Sequence, residues 1–533
     1  MLILCLCVSV VAFSDMSALL QLRALTVHLG GSARLQGLDL DLAPGEVLGL
    51  VGESGSGKSL TGLAIAGLLP AGAQVQGQVL LDGEDLLALP EAAMDARRGA
   101  ALGLVFQEPM NALNPLMTLG EQVAEALRLH RPLGRREAAA QTEGQLARVG
   151  LAGLAGRHPH ELSGGQRQGG CIAIAMALRP RLLIADEPTT ALDVRTQAQV
   201  LELLRALVRE DGSSLLLISH DLPLVAGVAD RIAVLHHGRL VEQGPAAELL
   251  RAPTSAEAAA LVAASVLAPR PAGAAPRGEA LLVAEGLVRE VGPAGAWWAP
   301  RAQRRLLDGV SLEVRAGERV GLVGESGSGK STLLRALMAL EPLQAGTVTL
   351  QGRRFTGAER ELRRQVQIVF QDPAGSLDPR WRAWEAVAEP LALLDAPPDR
   401  ATQRQRAAQW LERVGLGADA ADRYPHQFSG GQRQRLAIAR AMILEPALLV
   451  LDEAVSALDV SVRGQILDLI DRLCRERGTA LLFVTHDLGV VRAATDRLYV
   501  LEAGRIVAVG ATGDVLAALE GNATTEAQRH GES

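Results

Sequence analysis

Lysine is almost absent from this chain of 533 residues. Lysine and arginine together number 53, but only Lys58 and Lys330 are lysines, so the other 51 are arginines. A general preference for arginine does not explain the two exceptions, because lysine and arginine are not interchangeable where a compact charge enters a tight loop. The two lysines therefore mark positions with a local chemical requirement.

The chain also has few cysteines and no net positive charge. Four cysteines cannot form a disulfide framework in a chain of this length, which favours a reducing compartment. No pair among them has convincing metal-site spacing, since Cys5 and Cys7 lie inside an apolar run. The net charge of -7 argues against a nucleic-acid coat and against a polybasic membrane anchor.

Long hydrophobic runs are missing too. The N-terminal run MLILCLCVSVVAF (1–13) is shorter than the about 20 residues that a spanning helix needs. It also lacks the basic start of a secretory signal. We interpret residues 1–15 as an N-terminal extension outside the fold, with Met16 as a candidate start; a signal peptide or anchor is the alternative. If the protein serves a membrane, another chain forms the pore.

What the sequence does contain is a tandem repeat. The octapeptide GESGSGKS occurs at 52–59 and at 324–331, each time after an apolar run and before a segment with helical periodicity. Further pairs follow in the same order: VFQEP and VFQDP, SGGQRQ twice, LLIADE and LLVLDE, and ISHDL and VTHDL. The two lysines are 272 residues apart and the later pairs 264 or 266 apart. The chain is therefore a duplication with small insertions or deletions.

The repeat defines the predicted domains. These are residues 16–255 and 280–518, joined by an Ala/Pro-rich linker at 256–279 that starts helical, and followed by a polar, disordered tail at 519–533. Strand patterns alternate with helical patterns in each copy, which predicts an α/β fold with a mainly parallel core sheet. The segments at about 116–160 and 382–426 lack strand patterns and should form helical insertions.

The octapeptide has the composition of a phosphate-binding loop. Glycines let backbone N–H groups approach phosphate oxygens, and the following helix presents its positive end. The lysines would reach the β- and γ-phosphates and the last serines would bind Mg²⁺. A chance Gly-rich turn is the alternative, which the repetition with the same flanks disfavours. The predicted loops are Gly52, Glu53, Ser54, Gly55, Ser56, Gly57, Lys58 and Ser59, and Gly324, Glu325, Ser326, Gly327, Ser328, Gly329, Lys330 and Ser331.

Acidic pairs end the two LLIADE-type strands. Parallel α/β sheets place ligands at the carboxyl ends of their strands. We expect Asp186 and Asp452 to hold Mg²⁺, and Glu187 and Glu453 to polarise the attacking water. The alternative is a strand that simply ends in solvated acids.

Two further residue types complete each predicted site. His220 and His486 follow apolar strands; such a histidine is commonly structural, but beside a phosphate loop we expect a γ-phosphate contact. Gln107 and Gln371 follow short apolar runs, and their neutral amides could complete the Mg²⁺ shell or place the water.

In combination, these motifs resemble the ATP-binding cassette (ABC) ATPases. The resemblance covers nearly all of residues 16–518 and rests on the phosphate loop, SGGQ, the strand-end Asp-Glu, the downstream TALD or SALD, and the strand-end histidine. It implies two tandem P-loop NTPase domains, each with an antiparallel β subdomain and a helical insertion. It also implies ATP and Mg²⁺ as cofactors.

The resemblance further implies composite ATP sites, in which the phosphate loop of one cassette faces the SGGQ of the other. The site built on Lys58 would share its ATP with Ser429, Gly430, Gly431 and Gln432. The site built on Lys330 would share its ATP with Ser163, Gly164, Gly165 and Gln166. Ser hydroxyl and Gly N–H donors at a helix start suit a γ-phosphate.

Longer stretches, such as FQEPMNALNP and HQFSGGQRQR, look like the fused two-cassette subunits of oligopeptide and dipeptide importers. The implied partners are two integral-membrane permeases and a substrate-binding protein, with this chain peripheral at the cytoplasmic face of the inner membrane. The transported solute and the direction of transport are not encoded in these motifs. An adenine-stacking aromatic is missing from its usual place: His28 or Leu29 stands there in the first copy, and Trp297-Trp298 are near it in the second.

Two other functions remain as alternatives. A soluble two-cassette ATPase acting on ribosomes or DNA typically has a long charged linker or a coiled-coil or zinc insertion, and neither pattern is present. A scaffold that binds ATP without hydrolysing it would not need both Glu187 and Glu453.

The two copies differ within the SGGQ region itself. The first copy reads QRQGGCIAIAM where the second reads QRQRLAIARAM. Gly169 and Gly170 should each cost a helix roughly 1 kcal/mol relative to Ala, and we expect Gly170 to leave the packing short of a leucine. We therefore hypothesise that the two ATP sites are unequal and that the Lys330 site closes less readily. A sequencing error or gene decay is the alternative.

Overall fold

The structure is a computed structural model that describes residues 18–519 apart from 108, 190, 191, 193, 266, 271–277, 293–303, 326, 356, 358, 457 and 459. The chain divides into two compact units, one ending at Val262 and the other beginning at Ala263. The predicted extension at 1–15, the tail beyond 519 and Trp297-Trp298 lie outside the described residues.

The first unit contains two sheets. A four-stranded antiparallel sheet has the order β2-β1-β4-β5, and a six-stranded sheet has the order β10-β9-β3-β8-β7-β6, in which only β10 runs antiparallel to its neighbour. The strands are β1 (Leu20–Leu29), β2 (Ser32–Leu42), β3 (Val47–Val51), β4 (Gln74–Leu81), β5 (Glu84–Asp85), β6 (Leu102–Val105), β7 (Leu182–Asp186), β8 (Ser214–Ser219), β9 (Arg231–His236) and β10 (Arg239–Pro245).

Helices alternate with these strands. They are α1 (Lys58–Ile65), α2 (Glu91–Arg97), α3 (Pro109–Ala112), α4 (Leu119–His130), α5 (Arg135–Arg148), α6 (Gly164–Ala175), α7 (Val194–Asp211), α8 (Leu222–Ala226), α9 (Ala246–Arg251) and α10 (Ala256–Ser265). The last of these begins the predicted linker. Its start is capped by Ser255, whose hydroxyl accepts from the N–H of Ala258, and Glu242 anchors this cap by accepting from the backbone N–H groups of Thr254 and Ser255.

The second unit repeats the plan, with sheet orders β12-β11-β14-β15 and β16-β17-β18-β13-β19-β20. Only β20 is antiparallel in the larger sheet. The strands are β11 (Ala280–Val291), β12 (Arg304–Arg315), β13 (Arg319–Val323), β14 (Ala345–Leu350), β15 (Arg353–Phe355), β16 (Val366–Val369), β17 (Leu448–Asp452), β18 (Ala480–Thr485), β19 (Arg497–Glu502) and β20 (Arg505–Ala511).

The helices of the second unit follow the same order. They are α11 (Lys330–Leu337), α12 (Arg360–Gln365), α13 (Pro373–Ser376), α14 (Ala383–Ala388), α15 (Arg400–Arg413), α16 (Gly430–Met442), α17 (Val460–Arg477) and α18 (Leu488–Ala494), and residues 512–519 are helical as well. Linker residue Arg270 docks on this unit, donating from Nε to Asp496 and from Nη1 to Asp471, both over 2.7 Å.

Burial explains why the parallel strands read as unbroken apolar runs. All five residues of β3 and of β13 are buried, because both faces of these sheets are covered: the antiparallel sheet and α1 or α11 pack on one face and further helices pack on the other. Strand β1 instead alternates buried and more exposed positions over most of its length, as expected for a sheet with one face on the core. The predicted α/β class with a mainly parallel core sheet is confirmed in both units.

The predicted helical insertions are confirmed as well, since α4 and α5 occupy the first and α14 and α15 the second. Helix α4 starts at Thr118, whose hydroxyl accepts from the N–H of Glu121 while the Glu121 carboxylate accepts from the N–H of Thr118. Within the described part of the chain, none of the helices combines the length and the apolar character that crossing a bilayer requires.

Candidate functional site

The first predicted phosphate loop connects β3 to α1 and is built around glycine. Gly52, Gly55 and Gly57 have φ values of 156°, 77° and 105°. A Cβ on Gly52 would lie 2.1 Å from the carbonyl oxygen of Leu235, so a side chain cannot be accommodated there. The loop therefore keeps its backbone N–H groups accessible at the start of a helix, which is the arrangement that binds phosphate.

The lysine of each loop folds back over its own backbone. Lys58 Nζ donates to the carbonyl oxygens of Gly52 and Glu53, both over 2.8 Å. Lys330 Nζ repeats this pattern with Gly324 and Glu325 at 2.7 and 3.0 Å. Both lysines are buried. The only two lysines of the chain thus hold their ammonium groups at equivalent places in the two loops.

Each loop also holds a buried serine hydroxyl. The Oγ atoms of Ser56 and Ser328 have no hydrogen-bond partner among the described residues, and both serines are almost fully buried. Buried polar groups in proteins are nearly always paired, so these hydroxyls indicate a site that a ligand completes. The predicted loop residue Ser326 lies outside the described residues.

The strand-end aspartate of β7 lies beside the loop serine. Ser59 Oγ donates to Asp186 Oδ1 over 3.0 Å. Burial raises the pKa of Asp186 to about 6, against the opposing effect of the Ser59 hydrogen bond and with a further rise from the Glu187 charge. Burial likewise raises the pKa of Asp452 in the second unit. Each carboxylate is therefore placed where a cation would stabilise its charged form.

These donors fit a magnesium ion that arrives with a nucleotide. The described residues contain no group of three or more His, Cys, Asp and Glu side chains that could hold a metal alone. Mg²⁺ is commonly bound by one or two protein oxygens together with substrate phosphates and water. The hydroxyl of Ser59 beside the carboxylate of Asp186 matches that requirement.

The raised pKa of Asp186 gives a pH prediction for the chain without nucleotide or metal. Because the pKa in the folded state lies above the ordinary value of 3.8, the contribution of this group to stability is present at low pH and lost as the pH rises through about 6. Asp186→Asn should therefore raise the Tm relative to wild type at pH 8 and raise it much less at pH 4.5. Thermal unfolding at both pH values measures this, with Asp452→Asn as the matched variant of the second unit. An equal shift at both pH values would contradict the assignment.

The strand-end glutamate of β7 is held from two sides. Gln107 Nε2 donates to Glu187 Oε2 over 2.9 Å, and His220 Nδ1 lies 3.2 Å from Glu187 Oε1. The Glu187 backbone has a φ of 46°, which is unusual for a residue other than glycine and is typical of functional sites. The structure thus brings three predicted residues from separate strand ends into one hydrogen-bonded group.

The second unit reproduces this group. Gln371 Nε2 donates to Glu453 Oε2 over 3.0 Å, and His486 Nδ1 lies 3.3 Å from Glu453 Oε1. Glu453 has a φ of 47°. The same contacts and the same strained backbone occur in both copies. The arrangement is therefore a shared feature of the site and does not depend on the packing of one unit.

The SGGQ stretches, called here the first signature (Ser163–Gln166) and the second signature (Ser429–Gln432), begin helices α6 and α16. Each serine is the N-cap and accepts from the N–H of the glutamine three residues later, and that glutamine side chain accepts from the serine N–H. A Cβ on Gly165 would lie 2.7 Å from Thr196 Cγ2. These contacts hold the serine and glycine donors at the start of a helix, as expected.

The structure changes the interpretation of Gly170. A Cβ at this position would lie 2.7 Å from Leu119 Cδ1, so Leu119 fills the space that a larger residue would occupy. In the second unit the equivalent residues are Leu436 and Ala383, with the sizes reversed. The expectation that Gly170 leaves the helix short of packing is therefore wrong. The sequence signal was the reciprocal difference at positions 119 and 383, which align at an offset of 264.

Cys171 has no chemical role in this arrangement. Its side chain is buried, and burial raises the pKa of the thiol to about 12. A thiol with such a pKa remains protonated at neutral pH and is a poor nucleophile.

Comparisons with known proteins place these motifs in context. A family model described as ABC transporter matches residues 35–190 and 307–456. The peptidoglycan transport ATP-binding protein YejF of Agrobacterium fabrum is 44% identical over 520 residues, which cover 94% of either chain. The glutathione import ATP-binding protein GsiA of Escherichia coli K12 is 42% identical over 519 residues, covering 90% of this chain and 83% of GsiA.

A solved ATP-binding cassette, a dimer in a post-hydrolysis state with ADP and Pi, is 28% identical; it covers 44% of this chain and 99% of its own, with a TM-score of 0.39. Each of the two regions matched by the family model contains a phosphate loop, a glutamine after β6 or β16, a signature and a strand-end Asp-Glu pair.

Proposed function

Since the chain belongs to the ABC transporter family and is an ATPase of its peptide-type importers, we propose that its two cassettes form two composite ATP sites. The first site uses the Lys58 loop with the second signature, and the second site uses the Lys330 loop with the first signature. The observation that supports the proposal most strongly is that a phosphate loop lies near a strand-end Asp-Glu pair, once in each unit.

In this proposal the loop residues and signatures bind the nucleotide. Backbone N–H groups of Gly52–Ser59 and Gly324–Ser331 and the two lysines bind its phosphates. The signature serines and glycines donate to the γ-phosphate from the start of α6 or α16, where the helix dipole favours negative charge. ATP then holds the two cassettes together, and loss of the γ-phosphate releases them.

The hydrolytic role falls to the strand-end glutamates. Glu187 or Glu453 accepts a proton from the attacking water, while Gln107 and His220, or Gln371 and His486, hold that carboxylate in place. Mg²⁺ bound with the nucleotide neutralises phosphate charge. Its protein ligands would be Ser59, Asp186 and Gln107 in the first site, and Ser331, Asp452 and Gln371 in the second.

We further propose a peptide or a peptide-like compound as the transported solute. The relatives named for peptidoglycan transport and glutathione import support this class, because both names refer to molecules with peptide bonds. The partners would be two integral-membrane permeases and a substrate-binding protein, with this chain peripheral at the cytoplasmic face of the inner membrane. The helical insertions would receive the permeases.

Reconstitution tests this function. The chain is combined in proteoliposomes with the permeases and the binding protein encoded beside its gene. We expect ATP hydrolysis to require Mg²⁺ and to rise several-fold when the binding protein carries a short peptide. Ribosomes and DNA ends serve as controls and should leave the rate unchanged. Stimulation by ribosomes or DNA, without stimulation by the permeases, would support a soluble two-cassette ATPase instead.

A further inference from the structure

The two signature helices share the contacts at their starts. Besides the N-cap bonds, Arg167 Nε donates to the carbonyl oxygen of Pro159 over 2.7 Å, and Arg433 Nε donates to that of Pro425 over 3.1 Å. Because the start of each helix is fixed in the same way, any difference between the copies must arise further along α6 and α16.

Arg435 and Arg440 make such differences. Arg440 replaces Ile174 of the first unit and binds the carbonyl oxygen of Ser376 and the carboxylate of Glu389, and Arg435 reaches further. Its Nη1 donates to the carbonyl oxygen of Val414 over 2.7 Å, and its Nη2 donates to Gln465 Oε1 over 3.2 Å. Val414 caps the end of α15 in the helical insertion, and Gln465 lies on α17, the helix that follows the strand-end pair Asp452-Glu453. One guanidinium on α16 therefore joins the signature helix to both of its neighbours.

The first unit has Gly169 at this position and so has no side chain to make the bridge. A Cβ there would lie 3.3 Å from Leu151 Cδ1 and 3.7 Å from the carbonyl oxygen of Val149, the equivalent of Val414. A side chain at this position would therefore start close to the same carbonyl.

The neighbouring ion pair is kept in both copies. Arg148 Nη2 lies 3.2 Å from Glu210 Oε2, and Arg413 Nη2 lies 2.5 Å from Glu476 Oε2, so each insertion remains tied to the long helix α7 or α17. The first signature helix keeps one link to its insertion, since Gln145 Nε2 on α5 donates to the carbonyl oxygen of Ala173 on α6 over 3.2 Å. What it lacks is a guanidinium that reaches the insertion and the long helix together.

We propose that Arg435 is a positioning residue that fixes the second signature, and that Gly169 leaves the first signature less restrained, so that the Lys330 site hydrolyses ATP more slowly than the Lys58 site. The inference rests on the pairing of loops and signatures proposed above. The signature donors act on the γ-phosphate only when they are aimed at it, and a small displacement of such donors lowers the rate substantially. The flexible Gly169-Gly170 pair in α6 acts in the same direction.

Variants that silence one site at a time test this inference. Glu453→Gln leaves the Lys58 site, which uses Arg435, and Glu187→Gln leaves the Lys330 site, which uses Gly169. In the Glu453→Gln background, Arg435→Ala should lower kcat threefold to tenfold with little change in KM, since the phosphate loop is intact. Arg435→Lys should recover part of the loss. In the Glu187→Gln background, Gly169→Arg should raise kcat by a similar factor.

Gly169→Ala is the matched control, because it stiffens the helix without supplying a guanidinium. An equal gain from Gly169→Ala and Gly169→Arg would overturn the role of the bridge. If Arg435→Ala instead acts in the Glu187→Gln background, the proposed pairing of loops and signatures is wrong while the bridge stands. If either background hydrolyses ATP too slowly to follow, hydrogen exchange of the α6 and α16 amides in the presence of MgATP is measured instead. Arg435→Ala should then speed exchange in α16, and Gly169→Arg should slow it in α6. No change in either helix would overturn the inference.

Discussion

Replacing Glu187 and Glu453 together by glutamine should lower steady ATP hydrolysis by about 10²–10⁴-fold, the range that a positioned general base contributes. Glutamine keeps the size of the side chain, but it cannot take a proton from water, and its single acceptor oxygen can keep only one of the two contacts with Gln107 and His220 as they stand. ATP binding should persist, because Lys58 and Lys330 hold their loops through hydrogen bonds to backbone carbonyl oxygens. Phosphate release measures the rate, and equilibrium titration with ATP measures binding.

The neighbouring aspartates provide the comparison for this experiment. Asp186→Asn and Asp452→Asn remove a carboxylate beside the same loops, and we expect them to weaken binding of Mg²⁺ with ATP as well as hydrolysis. A double glutamine variant that hydrolyses ATP within about threefold of wild type would mean that another group accepts the proton. One that no longer binds ATP would show that these glutamates support the loop and not the chemistry.

The residues of the candidate site could be predicted because the same motifs occur twice in the sequence. Only two lysines occur, one in each copy of the octapeptide GESGSGKS. This coincidence identified the two phosphate loops before any tertiary contact was known. The apolar runs before Asp186 and Asp452 predicted buried parallel strands that deliver acids to one edge, and β7 and β17 do so. Local patterns of this kind depend on a few adjacent residues, so they can be recognised without knowledge of the fold.

Contacts between distant residues could not be predicted in this way. The φ of 46° at Glu187 has no signal in the sequence, because no glycine marks it. Gly170 looked like a packing defect since only its own helix was considered, whereas the residue that fills the space, Leu119, lies 51 positions earlier on α4. A matched pair of this kind is not what a sequencing error or gene decay would produce, because both of those act on one position without regard to the other.

The Leu119–Gly170 pair gives the second large prediction. Leu119 is fully buried, so Leu119→Ala should destabilise the first unit by about 2–5 kcal/mol. Gly170→Leu places atoms within 2.7 Å of Leu119 Cδ1 and should cost roughly 1–3 kcal/mol through overpacking. The two substitutions together recreate the Ala383–Leu436 pair of the second unit, and we expect them to recover most of the loss.

A double-mutant cycle on the full chain measures this coupling, with hydrogen exchange of α6 amides reporting the stability of the first unit. The reciprocal cycle, Ala383→Leu with Leu436→Gly, is the matched control and should recreate the first pair in the second unit. If the loss in the double variant is simply the sum of the single losses, Leu119 does not compensate Gly170. Recovery in both units would show that the two signature helices are packed equally well at this pair. The differences between α6 and α16 that then remain include Gly169 against Arg435, Ile174 against Arg440, and the Gly169-Gly170 backbone.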